Sequence, residues 1–97
     1  MAITATGDNP IVVTGTTAAK DDIKASGTWH ITKLYWLQPT TQAHKLAVQD
    51  GNGRELFEFY CQTANSSLEI NFDPPLSARN GIYSDDMDSG TLYVYVI

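Results

Sequence analysis

The run Thr91-Leu-Tyr-Val-Tyr-Val-Ile97 is the feature that most limits what this polypeptide can become. Seven residues of β-branched, aromatic and aliphatic type favour an extended strand over a helix. Leu92, Val94 and Val96 share one face, and Tyr93, Tyr95 and Ile97 share the other. A strand apolar on both faces belongs in the middle of a sheet, or against a second subunit.

The rest of the sequence repeats the theme. No helix-period pattern is present, and turn signals recur about every ten residues, which favours a sandwich or barrel over βαβ units. Gly7-Asp-Asn-Pro10 is the first breaker, and Ile11-Val-Val-Thr14 the first strong strand. Gly15 to Gly27 reads as a long connection, with the composition for a short helical turn across Thr17–Ile23. In Thr28–Leu37, Trp29 and Ile31 have one parity while Leu34 and Trp36 have the other. A bulge near Thr32-Lys33 returns all four to one face and leaves Tyr35 and Leu37 on the opposite one. His44–Gln49 and Arg54–Cys61 form a hairpin across Asp50-Gly-Asn-Gly53, whose glycines and asparagine suit the positive φ of a tight turn. Leu68, Ile70 and Phe72 alternate with Glu69 and Asn71 until Pro74-Pro75, which is expected to close that strand. Gly81–Tyr83 is a short strand, and Ser84–Gly90 an acidic turn.

These elements predict an all-β fold of about eight strands, an antiparallel two-sheet sandwich of jelly-roll type. At 97 residues and 10.6 kDa there is room for one domain spanning 1–97, with residues 1–10 as an extended N-terminal arm. The apolar fraction of 42% and charged fraction of 18% suit a globule rather than a disordered segment.

Charge narrows the partners. With a formal net charge of −5 and only 6 Lys and Arg, the protein has no basic cluster to neutralise phosphates, so neither nucleic acid nor an anionic membrane surface is expected. The N-terminus lacks the pattern of a signal peptide, and no apolar run reaches the roughly 20 residues that span a bilayer. A single cysteine, Cys61, leaves no internal disulfide.

Chemistry-bearing residues are sparse. Asp85, Asp86 and Asp88 are the densest carboxylates and a candidate set for calcium, which wants six to eight oxygens; their spacing matches no EF-hand, and a solvated acidic turn is the simpler reading. Asp50-Gly-Asn-Gly-Arg54 also mimics the start of such a loop, but Arg54 takes a ligand place and the hairpin turn explains it better. Cys61 with His44 has the residue types of a nucleophile–base pair, but no oxyanion-type turn accompanies them, and an ordinary packed thiol fits better. His30, His44 and Cys61 are too few and too irregular for zinc. No cofactor is expected and no enzyme is read from this set. The aromatics remain: Trp29, Trp36, Phe57, Phe59 and Phe72 suit a core, whereas Tyr35, Tyr93 and Tyr95 suit core or interface equally.

Three stretches carry a resemblance. Leu34-Tyr-Trp36 followed by Gln38-Pro-Thr-Thr-Gln-Ala-His44, the Asp50–Gly53 hairpin, and Asp85-Asp-Met-Asp-Ser-Gly-Thr-Leu-Tyr-Val-Tyr-Val96 occur in the order seen in small structural proteins of tailed bacteriophages. The protein resembles, over about residues 28–97, those of capsid decoration or cement type. The resemblance implies a virion protein assembled in the host cytoplasm, bound to the major capsid protein on the outer shell and clamping neighbouring subunits. It implies a homo-oligomer, a trimer first and a dimer next. Contact is then expected at Ala2, Ile3 and Thr4 of the N-terminal segment and at Tyr35, Tyr93 and Tyr95. The alternative is a carbohydrate- or receptor-binding module of a tail or fibre, with Trp29 or Trp36 facing solvent beside the 50–53 or 85–90 loops.

Overall fold

The computed structural model describes residues 3–7, 9–17 and 21–97. Among the described residues nine strands form in sequence order: β1 (Ile3–Thr6), β2 (Ile11–Gly15), β3 (Asp21–Lys24), β4 (Trp29–Leu37), β5 (Lys45–Asp50), β6 (Glu55–Tyr60), β7 (Leu68–Ala78), β8 (Ile82–Met87) and β9 (Thr91–Val96). They build two antiparallel sheets, one ordered β1-β2-β9-β4-β7 and the other β3-β8-β5-β6.

The pairing is nested. β5 pairs with β6, β4 with β7, β3 with β8, and β2 with β9. This is one long hairpin whose tip is the β5–β6 turn, rolled until β9 meets β4 and β8 meets β5. Rolling a hairpin in this way is what makes a jelly roll, and β1 adds an outer strand to it.

Alternation decides which side chains meet. Ile11, Val13, Ile31, Leu34, Trp36, Leu46, Val48, Ile82, Met87, Leu92 and Val94 are all at most 2% exposed and line the space between the sheets. Each side chain of this size contributes about 2 kcal/mol by leaving water. The register slips between Ile31 and Lys33 against both β7 and β9, so the expected bulge lies at Thr32 and brings Ile31, Leu34 and Trp36 to the same interior. β9 lies in the centre of its sheet, between β2 and β4.

Several expectations are corrected. The nine strands among the described residues agree with the expected sandwich of about eight; the N-terminal segment and β3 are the ones placed differently, since both join the sheets. Residues 3–6 are no free arm: Ile3 pairs with Gly15 and Thr6 with Val12, and Ile3 is 8% exposed within the core. The apolar Ile3 side chain gains more inside the sandwich than in water, and Asp21 Oδ2 accepts its N–H at 3.0 Å. Of the helical turn expected across Thr17–Ile23, residues 18–20 lie outside the described residues, and the flanking residues are not helical. Thr17 bridges to Met87, and Asp21–Lys24 is a strand whose Ile23 enters the core. Pro74-Pro75 does not end β7. It lies where Asn71 and Leu76 are successive partners of β4, so the prolines bulge outward on an edge strand, where their missing N–H costs nothing. Much of the expected acidic turn is strand, since β8 runs on to Met87.

Candidate interaction surfaces

Because Leu92, Val94 and Val96 point inward, Tyr93 and Tyr95 emerge on the outer face of the five-stranded sheet. The same alternation puts Lys33, Tyr35 and Leu37 of β4, Val12 of β2 and Thr4 and Thr6 of β1 on that face. Register then draws one continuous row across all five strands: Thr6, Val12, Tyr93, Tyr35, Glu69. Within it the Tyr35 and Tyr93 rings lie 5.9 Å apart, tilted by 39°. One step away the Lys33 ammonium stands 5.0 Å from the Tyr95 ring and 2.8 Å from the Glu69 carboxylate, whose hydrogen bond raises its affinity for a proton. All three tyrosines are half-buried by neighbours within the sheet and keep an outward surface. Thus Tyr35, Tyr93, Tyr95 and Thr4 share a face, Ile3 points away from it, and Ala2 lies outside the described residues.

The outer face of the other sheet is acidic. Glu58 and Asp86 flank Ala47 in register, and Lys45 beside them binds Glu58 at 3.3 Å. Asp85 is the extra residue where the β5–β8 register slips. Burial pushes the Asp86 carboxyl up to about 6, and hydrogen bonding to Asp88 adds to the rise. Its Oδ1 is buried with no partner among the described residues. Burial raises Asp88 too, but the bond from Asp86 and the Lys45 N–H outweigh it and hold this carboxyl below its ordinary value. Asp88 Oδ2 accepts that N–H at 2.8 Å and its own N–H reaches the Lys45 carbonyl at 3.1 Å, so the carboxylate closes the β8–β9 turn onto β5. Among the described residues no three His, Cys, Asp or Glu side chains are placed to hold a metal ion.

Next to Asp88, Ser89 ties three segments together. Its carbonyl accepts the Trp36 indole N–H at 2.8 Å, and its hydroxyl accepts the Thr40 N–H at 3.0 Å and meets His44 Nδ1 at 2.7 Å. The side-chain partner of His44 is therefore Ser89. Cys61 is 2% exposed and points its thiol at the Thr63 carbonyl, 3.1 Å away. The tail-module alternative needs a tryptophan facing solvent beside a loop. Trp36 is 1% exposed and faces inward, and the half-buried Trp29 spends its N–H on the Ser26 carbonyl at 2.8 Å.

Sequence reasoning missed the opposite end of the sandwich, where three turns interlock. Asp50, 2% exposed, accepts the Asn52 and Arg54 N–H groups through Oδ1, each at 3.0 Å. Gly51 N–H reaches the Arg79 carbonyl at 2.9 Å, and Asn80 Nδ2 donates to Asn52 Oδ1 at 2.6 Å. Gly81 N–H in turn reaches the Gly27 carbonyl at 2.8 Å. Of the hairpin residues only Gly53 takes positive φ, at 83°; Gly51 is required because a Cβ there would run into the Asn80 carbonyl. The polar Asp50 and the repeated Asn-Gly pairs were the available signals.

No protein-family model, curated protein or solved structure gave a match to this sequence.

Proposed function

We propose that this protein is a non-enzymatic virion component that binds the outer surface of a phage capsid and stabilises contacts between shell subunits, as decoration and cement proteins do. The observation that carries the reading is the group of three outward tyrosines on the five-stranded sheet, the Tyr35–Tyr93 pair with Tyr95 beside it. Large rings fixed on a sheet offer contact area at little entropic cost, the usual character of interface anchors. The resemblance over residues 28–97 supplies the context: the major capsid protein as partner, and a homo-oligomer, trimer before dimer, as the bound form.

Stabilisation then follows from linkage. A protein that binds the assembled lattice and not its separated subunits favours the lattice in proportion to its occupancy. The test is co-sedimentation of purified protein with capsids, alongside mass spectrometry of purified virions. Stoichiometric binding with slower capsid disruption supports the reading. Absence from virions together with absence of capsid binding overturns it.

A further inference from the structure

We propose that Asn52 is a site of self-modification, converted by its own backbone to an aspartyl or isoaspartyl residue, and that the fold directs this reaction to Asn52 rather than to Asn80. Both residues precede glycine, in Asn52-Gly53 and Asn80-Gly81. On sequence alone the two are equivalent, since glycine leaves the following amide nitrogen unshielded in each.

The structure makes them unequal. Gly81 is enclosed: a Cβ at that position would run into the Lys24 carbonyl oxygen and stand 3.1 Å from the Tyr83 ring. Its N–H is held by the Gly27 carbonyl at 2.8 Å, which fixes the nitrogen that would have to move toward the Asn80 side chain. Gly53 has open space on the side where a Cβ would stand, with nothing within 4 Å of it, and its N–H makes a longer turn bond of 3.1 Å to the Asp50 carbonyl. Asn52 and Gly53 are both exposed at the tip of the hairpin.

A second contact favours the same residue. Asn80 Nδ2 donates to Asn52 Oδ1 at 2.6 Å, so an N–H already points at the oxygen that gains negative charge when the Asn52 amide is attacked. In the reaction Gly53 N loses its proton to solvent base and bonds to Asn52 Cγ. The resulting oxyanion on Oδ1 keeps the Asn80 hydrogen bond. The bond between Asn52 Cγ and Nδ2 then breaks, and ammonia leaves after taking a proton from solvent. Water adds to either carbonyl of the cyclic imide and opens it to the aspartyl or isoaspartyl product. One water enters, one ammonia departs, and nothing is oxidised or reduced. The isoaspartyl form adds a backbone carbon to the turn, which must disturb the bonds from the Asn52 and Arg54 N–H groups to Asp50.

The test is peptide mapping by mass spectrometry after incubating native protein in mildly alkaline buffer, with a parallel sample in denaturant. In the native sample conversion at Asn52 should outpace that at Asn80 at least several-fold, and in denaturant the two rates should converge. Asn80→Asp, which replaces the donor by an acceptor and keeps the side-chain shape, should slow conversion at Asn52 in the native protein and leave it unchanged in denaturant. Equal native rates, a faster Asn80, or an Asn80→Asp variant converting as fast as the parent would overturn the proposal.

Discussion

Trp36 donates its indole N–H to the carbonyl of Ser89 at 2.8 Å, from a ring only 1% exposed. The bond spans from β4 to the β8–β9 turn, and Gly90 beyond it leaves no room for a side chain, since a Cβ there would stand 2.9 Å from the same indole nitrogen. Trp36→Phe removes the donor, leaves a buried carbonyl unpaired and opens a void. It should cost about 2–4 kcal/mol, read as a lower urea midpoint with unchanged slope. A change below about 0.5 kcal/mol would mean the bond contributes nothing to the fold.

Gly51→Ala is expected to be severe although Gly51 does not occupy the left-handed region. The new methyl would collide with the Asn80 backbone, so the β5–β6 and β7–β8 turns must separate. A loss of at least about 2 kcal/mol is expected by thermal melting. Gly53→Ala meets no neighbour and should show only the smaller strain of a positive φ.

Asp86 makes stability depend on pH in an unusual direction. Its carboxyl sits near 6 in the fold against an ordinary value of 3.8, so its contribution is fully present below about pH 4 and is lost as pH rises toward 6. Asp50 and Asp88 act the other way. Burial raises Asp50, but the N–H groups of Arg54, Asn52 and Arg79 outweigh it; both carboxyls lie below their ordinary values, and their contributions are lost as pH falls through the acid range. Asp86→Asn keeps a neutral donor toward Asp88. It should raise the melting temperature near neutral pH and have little effect near pH 4, the gap opening between those limits. A gap independent of pH would show that Asp86 does not titrate in this interval.

Tyr93→Ala combined with Tyr95→Ala tests the aromatic face. Loss of the Tyr35–Tyr93 pair should cost about 1 kcal/mol while the core below stays intact. Sedimentation velocity should show an oligomer becoming a folded monomer, and capsid binding should fall in parallel. Unchanged mass with unchanged binding places the interface elsewhere.

Much of the fold was written in period-2 patterning. Leu92, Val94 and Val96 announce the central strand, the parity switch between Ile31 and Leu34 announces the bulge, and Asp50–Gly53 announces the hairpin. The failures have local causes. Asp21–Lys24 carries one apolar residue, too short a pattern to separate strand from helical turn, and it is a strand only because Ile23 is drawn into the core. Pro74-Pro75 reads as a terminator unless the strand is known to lie at an edge. Ser84 is fully buried yet polar, giving no hydrophobic signal that β8 continues into the acidic stretch. On the surfaces, alternation placed Tyr35, Tyr93 and Tyr95 on one side of their strands, but only register shows that Tyr35 and Tyr93 form a row with Val12, with Tyr95 beside Lys33 one step away. The His44–Ser89 and Asn52–Asn80 contacts join residues 45 and 28 positions apart, which no local pattern encodes.

The rolled hairpin also sets the timetable of folding. β9 stands between β2 and β4, so two strands made early in translation have no common neighbour until residue 96 has left the ribosome. Until then the four-stranded sheet and the β4–β7 pair have all their strands, but β1 and β2 have no sheet to join, so the five-stranded layer closes last.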